Sequence, residues 1–147
     1  MNKKAFTLLE LLVVVLIIGI LTGIALPQYR MAVTKARFGE LKTITKSLGL
    51  AVQRYYIINN SYPNSDIGKL DIEIPKTVSC QANSAAVIRC CKIISGTDMC
   101  YYVGMSGRPR YCLVYSRDEN DIANKFCKKD TGKNREGYSD DWTSYSY

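Results

Sequence analysis

Residues 6–26 read FTLLELLVVVLIIGILTGIAL, 21 consecutive positions with one charged side chain, Glu10. At about 1.5 Å per residue a helix of that length spans roughly 30 Å, the thickness of a bilayer's hydrocarbon core. Lys3 and Lys4 precede it, a basic flank that predicts a cytoplasmic N-terminus and a single pass outward. A removable secretory signal has a shorter apolar region, a small-residue cut site and then a polar start. Here the apolar run is longer and leads directly into an amphipathic pattern. The segment is therefore expected to stay with the protein.

Beyond Pro27 the pattern changes. Val33, Leu41, Ile44, Leu48, Val52 and Tyr55 recur at helical spacing, with Ala36 and Ala51 filling the stripe. The opposite face carries Arg30, Lys35, Arg37, Lys42, Lys46 and Arg54 against one acid, Glu40. One helix is expected from Phe6 to about Ile58, a rod of roughly 80 Å. Asn59, Asn60, Ser61 and Pro63 then stop it.

The remainder reads as one small domain. The chain has 147 residues, 47% hydrophobic and 22% charged, which excludes both wholesale disorder and a polytopic membrane protein. Positions 64–76 lack periodicity and read as a connecting loop. Three strands are expected, over 85–94, 99–105 and 110–115. Ser95-Gly96 suits a tight turn between the first two, and Gly107, Arg108 and Pro109 a turn before the third. After an acidic, turn-prone patch (Asp118, Glu119, Asp121) comes a short helix to Phe126 and a polar, aromatic tail, expected to be solvated. In that tail Asp140 and Asp141 are the only adjacent acids. Calcium takes six to eight oxygens in a formed loop, so no metal is expected on two aspartates.

The six cysteines contain no C-x-x-C, which favours a disulfide framework in an oxidising compartment over a zinc ribbon. Fifteen pairings are possible. If Ser95-Gly96 is a two-residue turn, Cys91 falls opposite Cys100.

The string Lys4-Ala5-Phe6-Thr7-Leu8-Leu9-Glu10 followed by LLVVVLIIGIL closely resembles the processing and methylation site of type IV pilins and the related pseudopilins. The resemblance implies cleavage between Ala5 and Phe6 by a prepilin peptidase, then N-methylation of the new amine. Ala5 departs from the family's usual glycine before the cut. The new amine and Glu10 are four residues apart, so they can neutralise each other within one helix or between neighbours. The resemblance favours the second, in which Glu10 of one subunit faces Phe6 of the next and sets the register of a helical homo-oligomer. Gly19 and Pro27 match a glycine and a proline common in the family. Gly19 with Gly23 also gives a G-x-x-x-G lane for close helix approach, and Pro27 is expected to kink the helix. Tyr55, Tyr56, Tyr62 and Pro63 resemble the family's tyrosine-rich helix end more loosely. The family implies a Cys112–Cys127 bridge closing a C-terminal loop, which leaves Cys80 for Cys90.

The expected fold is accordingly α+β, a long N-terminal helix packed on a small antiparallel sheet, type IV pilin-like. Its parts would be a leader over 1–5, a membrane and assembly helix over 6–27, and an extracytoplasmic head over 28–147. An enzyme is disfavoured, because the chain has no histidine and no nucleophile-elbow, metal or phosphate-loop motif; no cofactor is expected. A membrane-anchored receptor for DNA would use the basic face but leaves Glu10 unexplained. Solvated face or subunit contact is the better reading of those charges. The function implied is a filament subunit in the inner membrane and then outside the cell, partnered by copies of itself, the peptidase and the assembly machinery. The alternative is a pseudopilin of a type II secretion system.

Overall fold

Thr7 starts the dominant element. The computed structural model describes residues 7–63, 66–83, 87–104, 108–138 and 141–147, with the side chain of residue 138 excepted. Helix α1 spans Leu8–Asn59, 52 residues, and is capped at Thr7. It ends at Asn60, whose left-handed backbone (φ 51°) turns its N–H back to the Tyr56 carbonyl at 2.8 Å. Pro27 lies inside this helix, which continues through it as one element.

The two halves of α1 have different surroundings. Every residue from 7 to 30 is exposed. The second half buries Thr34, Phe38, Leu41, Thr45, Leu48, Ala51 and Val52 against the rest of the chain. These recur every three or four residues, the spacing that lines one helical face. The two threonines are accommodated because each hydroxyl donates to the carbonyl four residues back, Thr34 to Arg30 at 2.9 Å and Thr45 to Leu41 at 2.8 Å.

After α1 the chain makes a short 3-10 turn, Ile67–Lys69, and enters a sheet. Its strands are β1 (Ser79–Asn83), β2 (Val87–Ile94), β3 (Thr97–Gly104), β4 (Arg110–Val114), β5 (Gly137–Tyr138) and β6 (Thr143–Ser146). Helix α2, Ile122–Thr131, separates β4 from β5. The sheet order is β1-β2-β3-β4-β6-β5, every pairing antiparallel. Alternation puts Ile88, Cys90 and Ile94 of β2, Met99 and Tyr101 of β3, and Cys112 and Val114 of β4 in the core with the α1 stripe. Phe38 is the hinge of that core. Its ring meets Tyr101 edge-on at 5.9 Å and Phe126 of α2 at 5.2 Å.

Ser95 and Gly96 form the β2–β3 turn with φ of 56° and 89°, the positive pair that a two-residue hairpin requires. The Ser95 hydroxyl lies 2.8 Å from that of Thr34, fastening the turn to α1.

The structure departs from the sequence reading in several places, among them the end of α2 at Thr131 rather than Phe126. The buried stripe of α1 runs through Thr34 and Phe38, whereas Ala36 is exposed and Val33 only half-buried. The sheet has six strands rather than three, because polar segments at both edges pair with it. Finally, residues 143–146 of the tail are a fully buried strand instead of a solvated extension. Asn124 explains this last difference. Its amide donates to the carbonyls of Ser116 (3.1 Å) and Asp118 (2.9 Å), and its carbonyl accepts from the hydroxyls of Thr143 (2.6 Å) and Tyr145 (3.1 Å). With the Thr143 and Tyr145 hydroxyls thus satisfied, a polar strand can be buried.

Candidate functional site

Glu10 sits in the first turn of α1. Its Oε2 accepts the Thr7 backbone N–H at 2.9 Å and the Thr7 hydroxyl at 2.8 Å, while the Glu10 N–H donates back to Thr7 Oγ1 at 3.3 Å. This is a capping box, which satisfies two of the helix's orphan donors reciprocally. Both bonds to the carboxylate fall on the same oxygen, and Oε1 takes none among the described residues. In a single chain the charge is thus held by its own helix end. Ala5 and Phe6 lie outside the described residues. The role of Thr7 went unread in the sequence, although the spacing Thr7-x-x-Glu10 is itself the capping-box signature.

The apolar half offers a bare lane. A side chain placed at Gly19 or Gly23 would meet nothing within 4 Å. Between them Thr22 hides its hydroxyl on the Ile18 carbonyl at 2.8 Å. This helix is long and apolar enough to cross a membrane. Leu8, Leu9 and the following Leu, Val and Ile residues are 44% or more exposed up to Leu26, an apolar surface that cannot stand in water unpartnered.

The basic face beyond Pro27 is divided. Lys42 turns inward, where its Nζ lies 2.5 Å from Asp130 Oδ2 and 4.5 Å from the centre of the Tyr147 ring. Arg54 pairs with Asp71 at 2.9 Å, which holds that carboxyl below its ordinary range. Lys92 pairs with Glu40 at 2.9 Å. The Tyr147 hydroxyl donates to Asp130; burial first, and then this bond, push it far above the usual phenol range. Burial also raises the Asp98 carboxyl, against the opposing pull of Arg89.

The structure brings the six cysteines together in three disulfides. Cys80–Cys90 and Cys91–Cys100 each join directly opposed residues, across β1–β2 and β2–β3. Cys112–Cys127 ties β4 to α2. Cys91, Asp98 and Cys100 bring possible ligand atoms within 4.8 Å of one another, but the two sulfurs are bonded to each other and offer no thiolate to a metal. Of the two tail aspartates, Asp140 lies outside the described residues and Asp141 is exposed.

Residues 1–26 match the model of the prokaryotic N-terminal methylation motif. The N-terminal part is similar to type IV pilins and to a type II secretion core protein. A fimbrial protein of Neisseria meningitidis serogroup A is 34% identical over 64 residues, 44% of this chain and 38% of the relative. The fimbrial protein EcpC of Eikenella corrodens is 39% identical over 61 residues, 42% of this chain and 40% of the relative. The type II secretion system core protein G of Pseudomonas aeruginosa is 33% identical over 67 residues, 46% of this chain and 47% of the relative. The pilin-like chain therefore spans less than half the length of these curated relatives. No solved structure matches it.

Proposed function

We propose that this chain is a structural subunit of a type IV pilus-like filament. The observation that carries the reading is the methylation motif over residues 1–26, which overlaps a helix whose residues are all exposed from Leu8 to Arg30. In this reading residues 1–5 are a leader, 6–27 the membrane and assembly helix, and 28–147 the head outside the cytoplasm. A prepilin peptidase cuts between Ala5 and Phe6, and the Phe6 amine is methylated.

Before assembly the apolar helix lies in the inner membrane with its N-terminus cytoplasmic. In the filament the same surface packs against copies of itself, with Gly19 allowing close approach and Pro27 placing the bend. The Phe6 amine of a neighbour supplies the countercharge for Glu10, whose Oε1 is unused by the capping box. A charged group left unpaired in such a core typically costs about 3–5 kcal/mol, enough to select one register. The role is structural rather than enzymatic, and neither a cofactor nor DNA enters it.

The match to a type II secretion core protein supports a second reading, a periplasmic pseudopilus subunit with the same assembly chemistry. Intact mass, with and without reduction and alkylation, of sheared surface material and of membranes tests both. A chain starting at methylated Phe6 in the sheared fraction, its thiols blocked until reduction, is the expected result. Processed chain confined to membranes favours the pseudopilus. An assembled chain starting at Met1 overturns the processing reading.

A further inference from the structure

Two grooves flank α1 at the same height, where it meets α2. One, of about 770 Å³, is lined by Pro27, Met31 and Lys35 of α1 and by Phe126 and Lys129 of α2. The other, of about 280 Å³, is lined by Pro27, Arg30 and Met31 together with Ile122 and Lys125. Each groove thus has an apolar floor and one basic side chain from each helix. We propose that these grooves bind the phosphate headgroups of anionic phospholipids, one on each side of α1.

Charge supports the occupant. Arg30, Lys35, Lys125 and Lys129 are exposed, and none has an ion-pair partner among the described residues. The carboxylates nearby are committed elsewhere. Asp130, at the edge of the larger groove, is held by Lys42 and Tyr147. Asp121 caps α2 through the Ala123 N–H at 2.8 Å and accepts from Thr97, and Asp118 accepts the Asn120 N–H at 2.8 Å.

Depth decides between a lipid and any other anion. The apolar run ends at Leu26. The headgroup layer beyond the hydrocarbon is about 5–8 Å thick on each side. At about 1.5 Å per residue, Arg30 lies roughly 6 Å past Leu26, inside that layer, and Lys35 roughly 13 Å past it. Helical side chains lean toward their own N-terminus, which on α1 is toward the membrane, so the long Lys35 stem reaches back to the headgroups. Tyr29, 67% exposed, sits at the same level, the usual place of an interfacial aromatic ring.

The proposal rests on residues 6–26 spanning a bilayer, not on polymerisation, so the two fail separately. The test reconstitutes the full chain in phosphatidylcholine bilayers carrying traces of spin-labelled phosphatidylglycerol or phosphatidylcholine, and reads the immobilised fraction of each label. The wild type should prefer phosphatidylglycerol by at least about fivefold, the factor a single near-surface basic residue typically supplies. Lys35→Glu/Lys129→Glu and Arg30→Glu/Lys125→Glu should each reduce that preference, and the quadruple variant should abolish it. Lys46→Glu/Lys76→Glu, an equal charge change away from both grooves, should leave it unchanged. No preference in the wild type, or an equal loss in the Lys46/Lys76 control, overturns the proposal. Charge reversals that block polymerisation without any lipid preference in the wild type would assign the grooves to a neighbouring subunit instead. A chain that enters neither bilayer contradicts the membrane reading itself.

Discussion

Lys42 and Asp130 form an ion pair of 2.5 Å between α1 and α2, with the two side chains only 25% and 20% exposed. The same carboxylate accepts from the Tyr147 hydroxyl, and the ring of that last residue lies under the Lys42 ammonium. One basic residue on α1 therefore organises three segments distant in sequence. Charge-assisted bonds in a partly desolvated place are stronger than exposed pairs.

Replacing Lys42 should destabilise the head by more than a surface lysine does. Lys42→Met keeps the stem and removes the charge, leaving Asp130 half-buried without its cation, at a cost of about 2 kcal/mol. Thermal unfolding of the full chain in detergent, followed by near-ultraviolet circular dichroism, measures it. Lys46→Met, an exposed position on the same helix, should change stability by less than about 0.5 kcal/mol.

Stability should fall at alkaline pH because of Tyr147. Its folded pKa is raised, first by burial and then by Asp130, so the folded chain keeps a proton that the unfolded chain loses at the ordinary phenol value of about 10. The contribution is intact below about pH 10 and disappears as pH rises above it. Tyr147→Phe should flatten that alkaline decline, while Tyr101 and Tyr145, also raised by burial, keep part of it. Unfolding curves between neutral and strongly alkaline pH check this.

Asn124 should hold the end of the chain in the sheet. Asn124→Ala leaves the buried Tyr145 hydroxyl without its partner and removes one bond each from the Thr143 hydroxyl and the Ser116 and Asp118 carbonyls, with an expected cost of about 2 kcal/mol. Hydrogen exchange should show the loss first in 143–146, with the β2–β3 hairpin still protected.

The Cys112–Cys127 bridge closes 15 residues, for which chain entropy predicts about 3 kcal/mol of stabilisation. Cys112→Ser/Cys127→Ser should lose about that amount on denaturant unfolding, and α2 should become the first part of the head to exchange.

The α+β class and the long helix were legible because long apolar periodicity is the strongest local signal. The β2–β3 hairpin was legible too, since Ser95-Gly96 fixes both the turn and the register that opposes Cys91 to Cys100. What escaped was polar. Thr34 and Thr45 are buried by bonding their own helix, so the stripe reads out of phase between Val33 and Phe38. Strand β6 reads as a solvated tail because its burial depends on Asn124, about twenty positions away. Similarly, Lys42 reads as part of a solvated basic face until the fold delivers Asp130 and Tyr147 to it. At the candidate site Glu10 stood out by its charge alone, whereas its bond to Thr7 needed only the capping spacing.

Assembly through the N-terminal helix is tested by filament yield from cells carrying Glu10→Ala. Shearing and quantitative electron microscopy measure polymer, and detection in membranes measures monomer. Normal amounts of processed, membrane-inserted monomer and no filaments are expected. Normal filaments from that variant would contradict assembly through a Glu10 pairing.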